Sequence, residues 1–338
     1  MKHNFWQELQ NINKPILALA PMAGSTDITF RLMCKKFGAD VVYTEMVSAA
    51  GLFYNDDKTS DFLKTAKAEK PVVCQLFGFE PEHFAKAVKI VELAGFDGVD
   101  INFGCPAKKV VKNFSGVALM DDLDRAYKIV EAVCQNTKLP VSIKIRNSKG
   151  KVTAADLVNK LKPLFWNKTN LLRPRRTRLG RGLRSGTGLV NAIMLHGRSY
   201  EKEFSGEPDW SQLKKIRQIF DGVILANGGI DSVTKAKLAL ENSGADGLGL
   251  ARGIWGEPWL FEDIRLSLEN KAIKPKSWPE IKKIILQHAN LVEKYKLNFL
   301  EFRKHLLWYV KGQPNAKELR EKLIEVKNFE ELKMAFNS

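Results

Sequence analysis

The sequence predicts an α/β protein: a (β/α)8 TIM barrel followed by a small all-helical C-terminal domain. Eight short runs rich in β-branched residues recur between residues 16 and 250, and segments with helical periodicity separate most of them. Such alternation is typical of parallel strands joined by helical crossovers, and eight units are the number that closes a barrel. Beyond about residue 270 only helical spacing remains.

The individual elements follow from these patterns. The predicted strands are Ile16–Ala20, Val41–Thr44, Val72–Leu76, Gly98–Asn102, Val141–Ile145, Ala192–His196, Val223–Ala226 and Gly247–Leu250. The predicted crossover helices are Asp27–Phe37, Glu82–Ala94, Leu123–Asn136, Ala154–Leu164, Gln212–Phe220 and Ser232–Ser243, with the second and last crossovers less regular. A doubly wound open sheet is the alternative fold, but no Gly-x-Gly-x-x-Gly follows the first strand, where a dinucleotide-binding domain requires it.

Two domains are expected, a barrel over residues 1–268 and a helical domain over residues 269–338. Apolar residues at helical spacing between Ile281 and Tyr295 predict the first helix of the second domain, and further helices are expected at Glu301–Lys311, Ala316–Glu325 and Asn328–Phe336. Residues 165–190, where the fifth crossover should close, form an unusual basic insert without apolar period. That insert is interpreted as a basic loop, a functional insert or a corrupted stretch of sequence.

The charge of the chain is unevenly distributed. The formal net charge is +16; residues 164–190 hold seven Lys or Arg and no acid, and residues 265–338 hold sixteen against nine acids. These two segments supply 7 + 7 = 14 of the excess charges. The asymmetry favours an appendage that binds a polyanion through its phosphates, and the alternative is an ordinary solvated basic surface.

Several classes of protein are disfavoured by the sequence. No apolar run approaches the ~20 residues that span a bilayer, and the first residues lack the apolar core of a secretory signal, so a cytoplasmic protein is expected. The four cysteines form no Cys-x-x-Cys pair, so neither a metal site nor a disulfide framework is predicted. Cys34, Cys74 and Cys134 are expected to be packing residues.

Polar and glycine residues follow most of the predicted strands. In this class of barrel the active site forms at the carboxyl ends of the strands, so these residues are expected to surround one pocket. They are Pro21, Met22 and Ala23 after the first strand, Gln75 at the end of the third, Asn102 and Cys105 at the fourth, Lys144 and Arg146 at the fifth, His196 at the sixth, Asn227, Gly228 and Gly229 at the seventh, and Ala251 and Arg252 at the eighth.

The chemistry of some of these residues can be interpreted directly. Glycine turns after strands seven and eight, with Arg252 and a helix capped by Ser232, are suited to bind a phosphate, although they are also compatible with plain turns. Lys144 requires an anionic partner, such as a reduced flavin, or is a Schiff-base nucleophile.

Two further rim residues have chemical interpretations. Cys105 in its loop is interpreted as an exposed thiol and general acid, or as an incidental cysteine. His196 is either a cofactor contact or a core histidine.

Taken in order, these motifs resemble the tRNA-dihydrouridine synthase family. The matching segments are Ala20-Pro21-Met22-Ala23-Gly24, Gln75-Leu76-Phe77-Gly78, Asp100-Ile101-Asn102-Phe103-Gly104-Cys105-Pro106, Lys144-Ile145-Arg146, His196-Gly197-Arg198, Asn227-Gly228-Gly229-Ile230, Arg252-Gly253 and Gly256-Glu257-Pro258-Trp259. The helical region adds Phe302-Arg303-Lys304-His305-Leu306-Leu307-Trp308-Tyr309. The resemblance runs from about residue 14 to residue 325.

The resemblance implies reduction of the C5–C6 bond of uridine in tRNA, with FMN as cofactor and NADPH or NADH as reductant. By carry-over, Pro21, Met22, Ala23, Gln75, Lys144 and His196 contact the flavin, and Asn227, Gly228, Gly229, Ala251 and Arg252 surround its phosphate. Asn102 and Arg146 face the uracil, Cys105 is the proton donor, and the helical domain binds tRNA.

Two other functions are weighed beside this one. They are an FMN-dependent barrel oxidoreductase that acts on a free pyrimidine, and a non-catalytic tRNA-binding protein. A monomer is expected, and no protein partner is predicted.

Overall fold

The predicted closed barrel is confirmed in a computed structural model, which describes residues 4–165 and 189–337. Eight parallel strands pair in chain order, and the first closes on the last. They are β1 (Ile16–Leu19), β2 (Val41–Ser48), β3 (Val72–Phe77), β4 (Gly98–Phe103), β5 (Val141–Arg146), β6 (Val190–His196), β7 (Val223–Asn227) and β8 (Gly247–Leu250). β2 runs four residues past its predicted end because an irregular register between Tyr43 and Met46 interrupts the alternation by which a strand is recognised.

Helices on the outside of the barrel bury their apolar faces against the strands. They are α1 (Ile28–Lys36), α2 (Pro81–Leu93), α3 (Leu123–Asn136), α4 (Ala154–Leu161), α5 (Ser211–Arg217), α6 (Val233–Ser243) and α7 (Leu260–Leu268). The second crossover holds only short helices, Ala49–Phe53 and Asp57–Ser60, which explains its weak periodicity. The expected cap at Ser232 is present: its hydroxyl accepts the Lys235 N–H.

A short helix that the sequence did not predict lies before β1. It spans Phe5–Asn11, and its two aromatic residues, Phe5 and Trp6, belong to the cluster of buried residues inside the barrel. The Trp6 ring lies 6.5 Å from that of Tyr43 on β2. With only seven residues, this helix is too short for its periodicity to be recognised without its packing partners.

The helical region contains α8 (Trp278–Lys294), α9 (Phe299–Tyr309), α10 (Ala316–Glu325) and α11 (Phe329–Asn337). These helices share a second apolar cluster that also includes Met33 of α1 and Trp259 of the barrel. His288 of α8 joins the two parts through polar contacts, 3.1 Å from the Thr29 hydroxyl and 3.1 Å from the Tyr309 hydroxyl. The helical region therefore packs beside the rim at β1 and β8.

The segment 165–190 is described only at its ends. Phe165 forms a single bridge with Val190 at the start of β6. The predicted basic insert otherwise falls on residues 166–188, outside the described part of the chain. Within the described residues, no helix is both long enough and apolar enough to cross a membrane.

A buried ion pair holds the β1–α1 region against the second crossover. Arg31 Nε donates to Glu69 Oε2 over 2.6 Å, and Arg31 Nη2 donates to Oε1 over 3.2 Å. The same guanidinium donates to the Thr26 and Lys64 carbonyls, while Glu69 accepts the Ala66 N–H. Both side chains are almost fully buried, so removing one charge leaves the other without compensation.

We expect Glu69→Gln to lower the free energy of unfolding by about 3–5 kcal/mol, because it leaves the buried Arg31 charge unpaired. Urea unfolding of the two proteins measures this difference. The matched control is Lys14→Met, which removes an exposed ion pair with Glu269 and should change stability by less than about 0.5 kcal/mol. Equal losses of stability in Glu69→Gln and Lys14→Met would contradict the conclusion that the buried Arg31 charge depends on Glu69.

Candidate active site

All the predicted site residues line one cavity of about 1000 Å³ at the carboxyl ends of the strands. They are Pro21, Met22, Ala23, Gln75, Asn102, Cys105, Lys144, Arg146, His196, Asn227, Gly228, Gly229, Ala251 and Arg252. The sheet register explains the convergence on one side: Asn102 pairs with Lys144, Arg146 pairs with His196, and His196 pairs with Asn227. The cavity also extends to Trp308 and Lys311 of the helical region.

One corner of the cavity is suited to a phosphate. Gly228 and Gly229 have φ values of +107° and +72°, a backbone region that glycine enters without strain. None of the hydrogen bonds among the described residues uses their amide N–H groups. The guanidinium of Arg198 lies beside both glycines, and Arg252 follows β8 on the same wall. Free amides next to two guanidinium groups form an anion-binding corner.

The two glycine loops are in direct contact. A Cβ on Gly253 would lie 2.0 Å from the Ile230 carbonyl oxygen, so only glycine fits where the loop after β8 meets the loop after β7. The side chain of Asn227 adds a second tie, because its Nδ2 donates to the Gly249 carbonyl over 2.6 Å. Asn227 therefore acts on the corner by fixing its backbone.

Lys144 brings a half-buried positive charge to the lining of the cavity. Burial lowers its pKa to about 8, and the charge of Arg146 acts in the same direction, while Asp100 and Cys105 oppose the shift. Among the described residues, Lys144 has no hydrogen bond or ion-pair partner. A cation in this position favours an anionic group in the cavity.

His196 lies in the same positive field. Burial lowers its pKa to about 2, with further contributions from Lys144, Arg146 and Arg198. Its imidazole is therefore neutral at physiological pH, and its Nε2 lies beside Gly228, 3.0 Å from the place of a Cβ on that glycine. The imidazole, the Lys144 ammonium and the glycine amides line one cavity and together fit a phosphorylated cofactor whose ring system carries negative charge.

The thiol of Cys105 belongs to the lining of the same cavity, in the loop after β4. Asn102 Oδ1 accepts the N–H groups of Gly104, over 3.0 Å, and of Cys105, over 2.9 Å. The Cys105 carbonyl accepts the Val117 N–H over 3.2 Å, which fixes the loop from its other end. Burial raises the pKa of the thiol, so Cys105 holds its proton at neutral pH. The other three cysteines are buried packing residues, as predicted.

Arg146 connects the rim loops as well as lining the cavity. Its Nε donates to the Gly104 carbonyl, and its Nη1 donates to the carbonyls of Ser199 and Glu203. Because these bonds reach the loops after β4 and β6, Arg146 helps to position both of them. Phe204 of the second loop lies 3.8 Å from the Arg252 guanidinium, measured to the ring centroid, and 5.5 Å from that of Arg146.

Asp100, which lies beneath the cavity, and Arg198 and Phe204, which line it, take part in this site but were not among the predicted site residues. Asp100 lies two residues before Asn102 on β4, so the period of two in a strand could have placed it on the same face. Arg198 stands in the His-Gly-Arg motif but follows the strand by two residues. Phe204 has no distinguishing sequence pattern, because only the path of its loop brings it to the rim.

The fold and the site together define a barrel protein with a cavity suited to a phosphorylated cofactor and a protonated thiol at its edge. A model of the dihydrouridine synthase family (Dus) matches residues 18–162 and 184–337. The chain belongs to this family. The match is interrupted at residues 163–183, which overlap the predicted basic insert at residues 165–190.

Individual relatives agree with the family match. A probable tRNA-dihydrouridine synthase of Rickettsia bellii (strain RML369-C) is 34% identical over 311 residues, covering 90% of this chain and 88% of the relative. tRNA-dihydrouridine synthase B of Vibrio vulnificus (strain CMCP6) is 33% identical over 308 residues, covering 90% of this chain and 89% of the relative.

Solved structures support the fold. TcOYE with pHBA has a TM-score of 0.50 at 13% identity, with 77% of this chain and 90% of that chain covered. Morphinone reductase in complex with tetrahydroNAD has a TM-score of 0.50 at 13% identity, with 78% and 89% covered. At this identity the likeness concerns the barrel alone.

The pKa of Lys144 predicts a pH dependence of anion binding. The lowered pKa means that the ammonium charge is lost as the pH rises through about 8. We expect the affinity for reduced FMN, the cofactor that the sequence resemblance implies, to fall about tenfold between pH 7 and pH 9. Anaerobic titration measures this change. The variant Lys144→Met should bind reduced FMN more weakly at pH 7, and its affinity should no longer depend on pH in this range. If its affinity falls with pH as steeply as that of the wild type, Lys144 is not the group responsible.

Proposed function

We propose that this protein is a flavin-dependent tRNA-dihydrouridine synthase, which reduces the C5–C6 bond of particular uridines in tRNA to 5,6-dihydrouridine. The observation that carries the proposal is the placement of the protonated Cys105 thiol, the free Lys144 ammonium and the Gly228-Gly229 amides on one cavity. Family membership and relatives named tRNA-dihydrouridine synthase support it. They favour this reaction over a free-pyrimidine oxidoreductase or a non-catalytic tRNA-binding protein.

FMN is the proposed cofactor, with NADPH as reductant. Pro21, Met22, Ala23, Gln75, Lys144 and His196 would hold the ring system, and Asn227, Gly228, Gly229, Ala251 and Arg252 would surround the phosphate. Arg198 belongs to the same phosphate corner, because its guanidinium lies beside both glycines. When bound, FMN supplies the hydride for the reduction. Lys144 would balance negative charge on the reduced ring.

The proton for the second half of the reduction is assigned to Cys105 Sγ. A raised pKa keeps the thiol protonated, and a protonated thiol is able to act as a general acid. Asn102 and Arg146 are proposed to face the uracil. Because the C5–C6 bond is shielded in a folded tRNA, the target uridine has to be extruded into the cavity. The fixed loop after β4 then holds Sγ in place.

Residues 269–338 are proposed as the tRNA-binding domain, beside an FMN-binding barrel over residues 1–268. Residues 269–338 hold fifteen basic residues against nine acids, and Trp308, Lys311 and Gln313 of this region line the edge of the cavity. A domain in this place can contact the tRNA backbone while the extruded base lies in the barrel.

The decisive experiment incubates unmodified tRNA with the protein, FMN and either NADPH or NADH, and analyses the digested nucleosides by mass spectrometry. A mass gain of two hydrogens on uridine is expected. Free uridine and uracil serve as parallel substrates. Turnover of these alone, with tRNA left unchanged, would favour the free-pyrimidine alternative.

We expect Cys105→Ala to reduce dihydrouridine formation about a hundredfold or more, because general acids contribute about 10²–10⁴ in rate, while FMN binding is retained. Nucleoside mass spectrometry measures the rate, and flavin absorbance measures the bound cofactor. The control is Cys134→Ala on α3, a buried cysteine away from the cavity, which should keep activity within about a factor of two. Full activity in Cys105→Ala would remove the proposed acid.

The role of the helical region predicts a salt-dependent loss of tRNA affinity. The triple variant Lys317→Ala, Arg320→Ala, Lys327→Ala removes three exposed positive charges of this region, none of which lines the cavity. For every phosphate that is no longer neutralised, the slope of log K against log salt should fall in magnitude by about 0.7–0.9. Binding assays at several salt concentrations measure the slope, and FMN affinity is the internal control. An unchanged slope would mean that these three residues do not neutralise phosphates of the tRNA backbone.

A further inference from the structure

A chain of buried polar side chains runs beneath the floor of the cavity. Asp100 of β4 is fully buried and accepts two short hydrogen bonds. Ser142 Oγ donates to its Oδ1 over 2.6 Å, and Gln75 Nε2 donates to its Oδ2 over 2.6 Å. Asn102 Nδ2 in turn donates to Gln75 Oε1 over 2.8 Å. The Oδ1 atom of Asn102 receives the Gly104 and Cys105 N–H groups.

Both ends of this chain determine its direction. An ionised carboxylate only accepts hydrogen bonds, so Gln75 has to turn its Nε2 towards Asp100. Backbone N–H groups only donate, so Asn102 has to turn its Oδ1 towards the loop of Cys105. The Nδ2 of Asn102 then donates a hydrogen bond to the Oε1 of Gln75. An amide side chain can in general be turned so that either its oxygen or its nitrogen faces a given neighbour. In this network only one orientation of Gln75 and one of Asn102 satisfies every hydrogen bond.

This arrangement has a consequence for the cavity. The Nε2 group of Gln75 carries two N–H bonds, of which Asp100 takes one. Its Oε1 is already occupied by Asn102. Gln75 belongs to the lining of the cavity, although its side chain is fully buried there. The one polar group that it has left for an occupant is the second N–H, a donor.

We propose that Asp100 is a positioning residue that makes Gln75 a hydrogen-bond donor to the flavin and, through Asn102, holds the loop of the Cys105 thiol. The inference rests on the proposed function, because it takes the occupant next to Gln75 to be the flavin. A flavin ring presents acceptors, its carbonyl oxygens and ring nitrogens, so a donor in this position binds it and an acceptor repels it. Asp100 itself touches neither cofactor nor substrate.

The surroundings of Asp100 are consistent with an ionised carboxylate. Burial raises its pKa to about 6, while the bonds from Gln75 and Ser142 and the charge of Lys144 oppose the rise. The other titratable groups beside it are Tyr43 and Cys74, and burial raises the pKa of each, so both are neutral. Asp100 is therefore mostly ionised at pH 7 and becomes protonated as the pH falls through about 6.

The experiment exchanges the two groups in the double variant Asp100→Asn, Gln75→Glu. The amide introduced at position 100 can accept from Ser142 and donate to the carboxylate introduced at position 75, whose other oxygen still accepts from Asn102. The chain is restored, but the group at position 75 now faces the flavin only as an acceptor. Melting temperature, FMN affinity and the rate of tRNA reduction are measured for the wild type, both single variants and the double variant.

We expect the double variant to recover the melting temperature lost in Gln75→Glu, while its FMN affinity stays about tenfold or more below that of the wild type. If affinity and rate recover together with stability, the orientation of the group at position 75 does not determine flavin binding, and that result would overturn the inference. Ser142→Ala is the matched control, because it removes the other bond to Asp100 without affecting Gln75; its FMN affinity should stay within about threefold of the wild type.

If the double variant does not fold, the pH dependence of FMN affinity tests the proposal instead. FMN affinity of the wild type and of Asp100→Asn is compared from pH 7 to pH 5. Protonation of Asp100 releases the constraint on Gln75, so the wild type should weaken more steeply than the variant, which cannot titrate there. The FMN phosphate titrates equally in both, and identical slopes would refute the proposal. Failure of wild-type protein to form dihydrouridine would instead count against the proposed function.

Discussion

Closure of eight parallel strands is the constraint on which the rest of the structure depends. Because every strand points the same way, the loops that follow their carboxyl ends lie on one rim. The ladder then sets neighbours across strands: Asn102 beside Lys144, and Arg146, His196 and Asn227 in one row. Residues that are remote from one another in the chain thereby share one cavity.

The electrostatics of the cavity follow from this crowding. Burial brings Lys144, Arg146 and Arg198 together, and their charges contribute to the very low pKa of His196. The buried carboxylate of Asp100 is close enough to raise the pKa of Lys144 but not enough to overcome its burial. Such a site is incomplete by itself, and an anionic cofactor would relieve the repulsion that the fold has imposed. Cofactor binding and the charge state of the cavity are thus expected to be coupled.

The helical region shapes the site as well as adding basic surface. Trp255 of the loop after β8 stacks on Trp308 of α9, with ring centroids 4.3 Å apart and planes 1° from parallel. A Cβ on Gly256 would lie 2.3 Å from the Trp308 carbonyl oxygen, so this loop and α9 pack in close contact. The same loop begins with Arg252 at the phosphate corner. Displacement of α9 would therefore disturb the wall of the cavity. The position of the helical region is in this way linked to the geometry of the barrel site.

The sequence alone predicts the barrel, the helical region and a set of site residues that all line the cavity. These features are predictable because the alternation of strands and helices, the glycine turns and the polar residues at strand ends are local patterns. What the tertiary structure alone decided is the state and orientation of these groups. The neutral imidazole of His196 and the lowered pKa of Lys144 depend on burial among distant charges. The bonds of Arg146 to the Ser199 and Glu203 carbonyls, and the place of Phe204, depend on the path of a loop. The chain of hydrogen bonds that joins Ser142, Asp100, Gln75 and Asn102 requires three strands to be in register. Sequence patterns identify groups able to react, whereas burial and hydrogen-bond direction arise only when remote segments pack together.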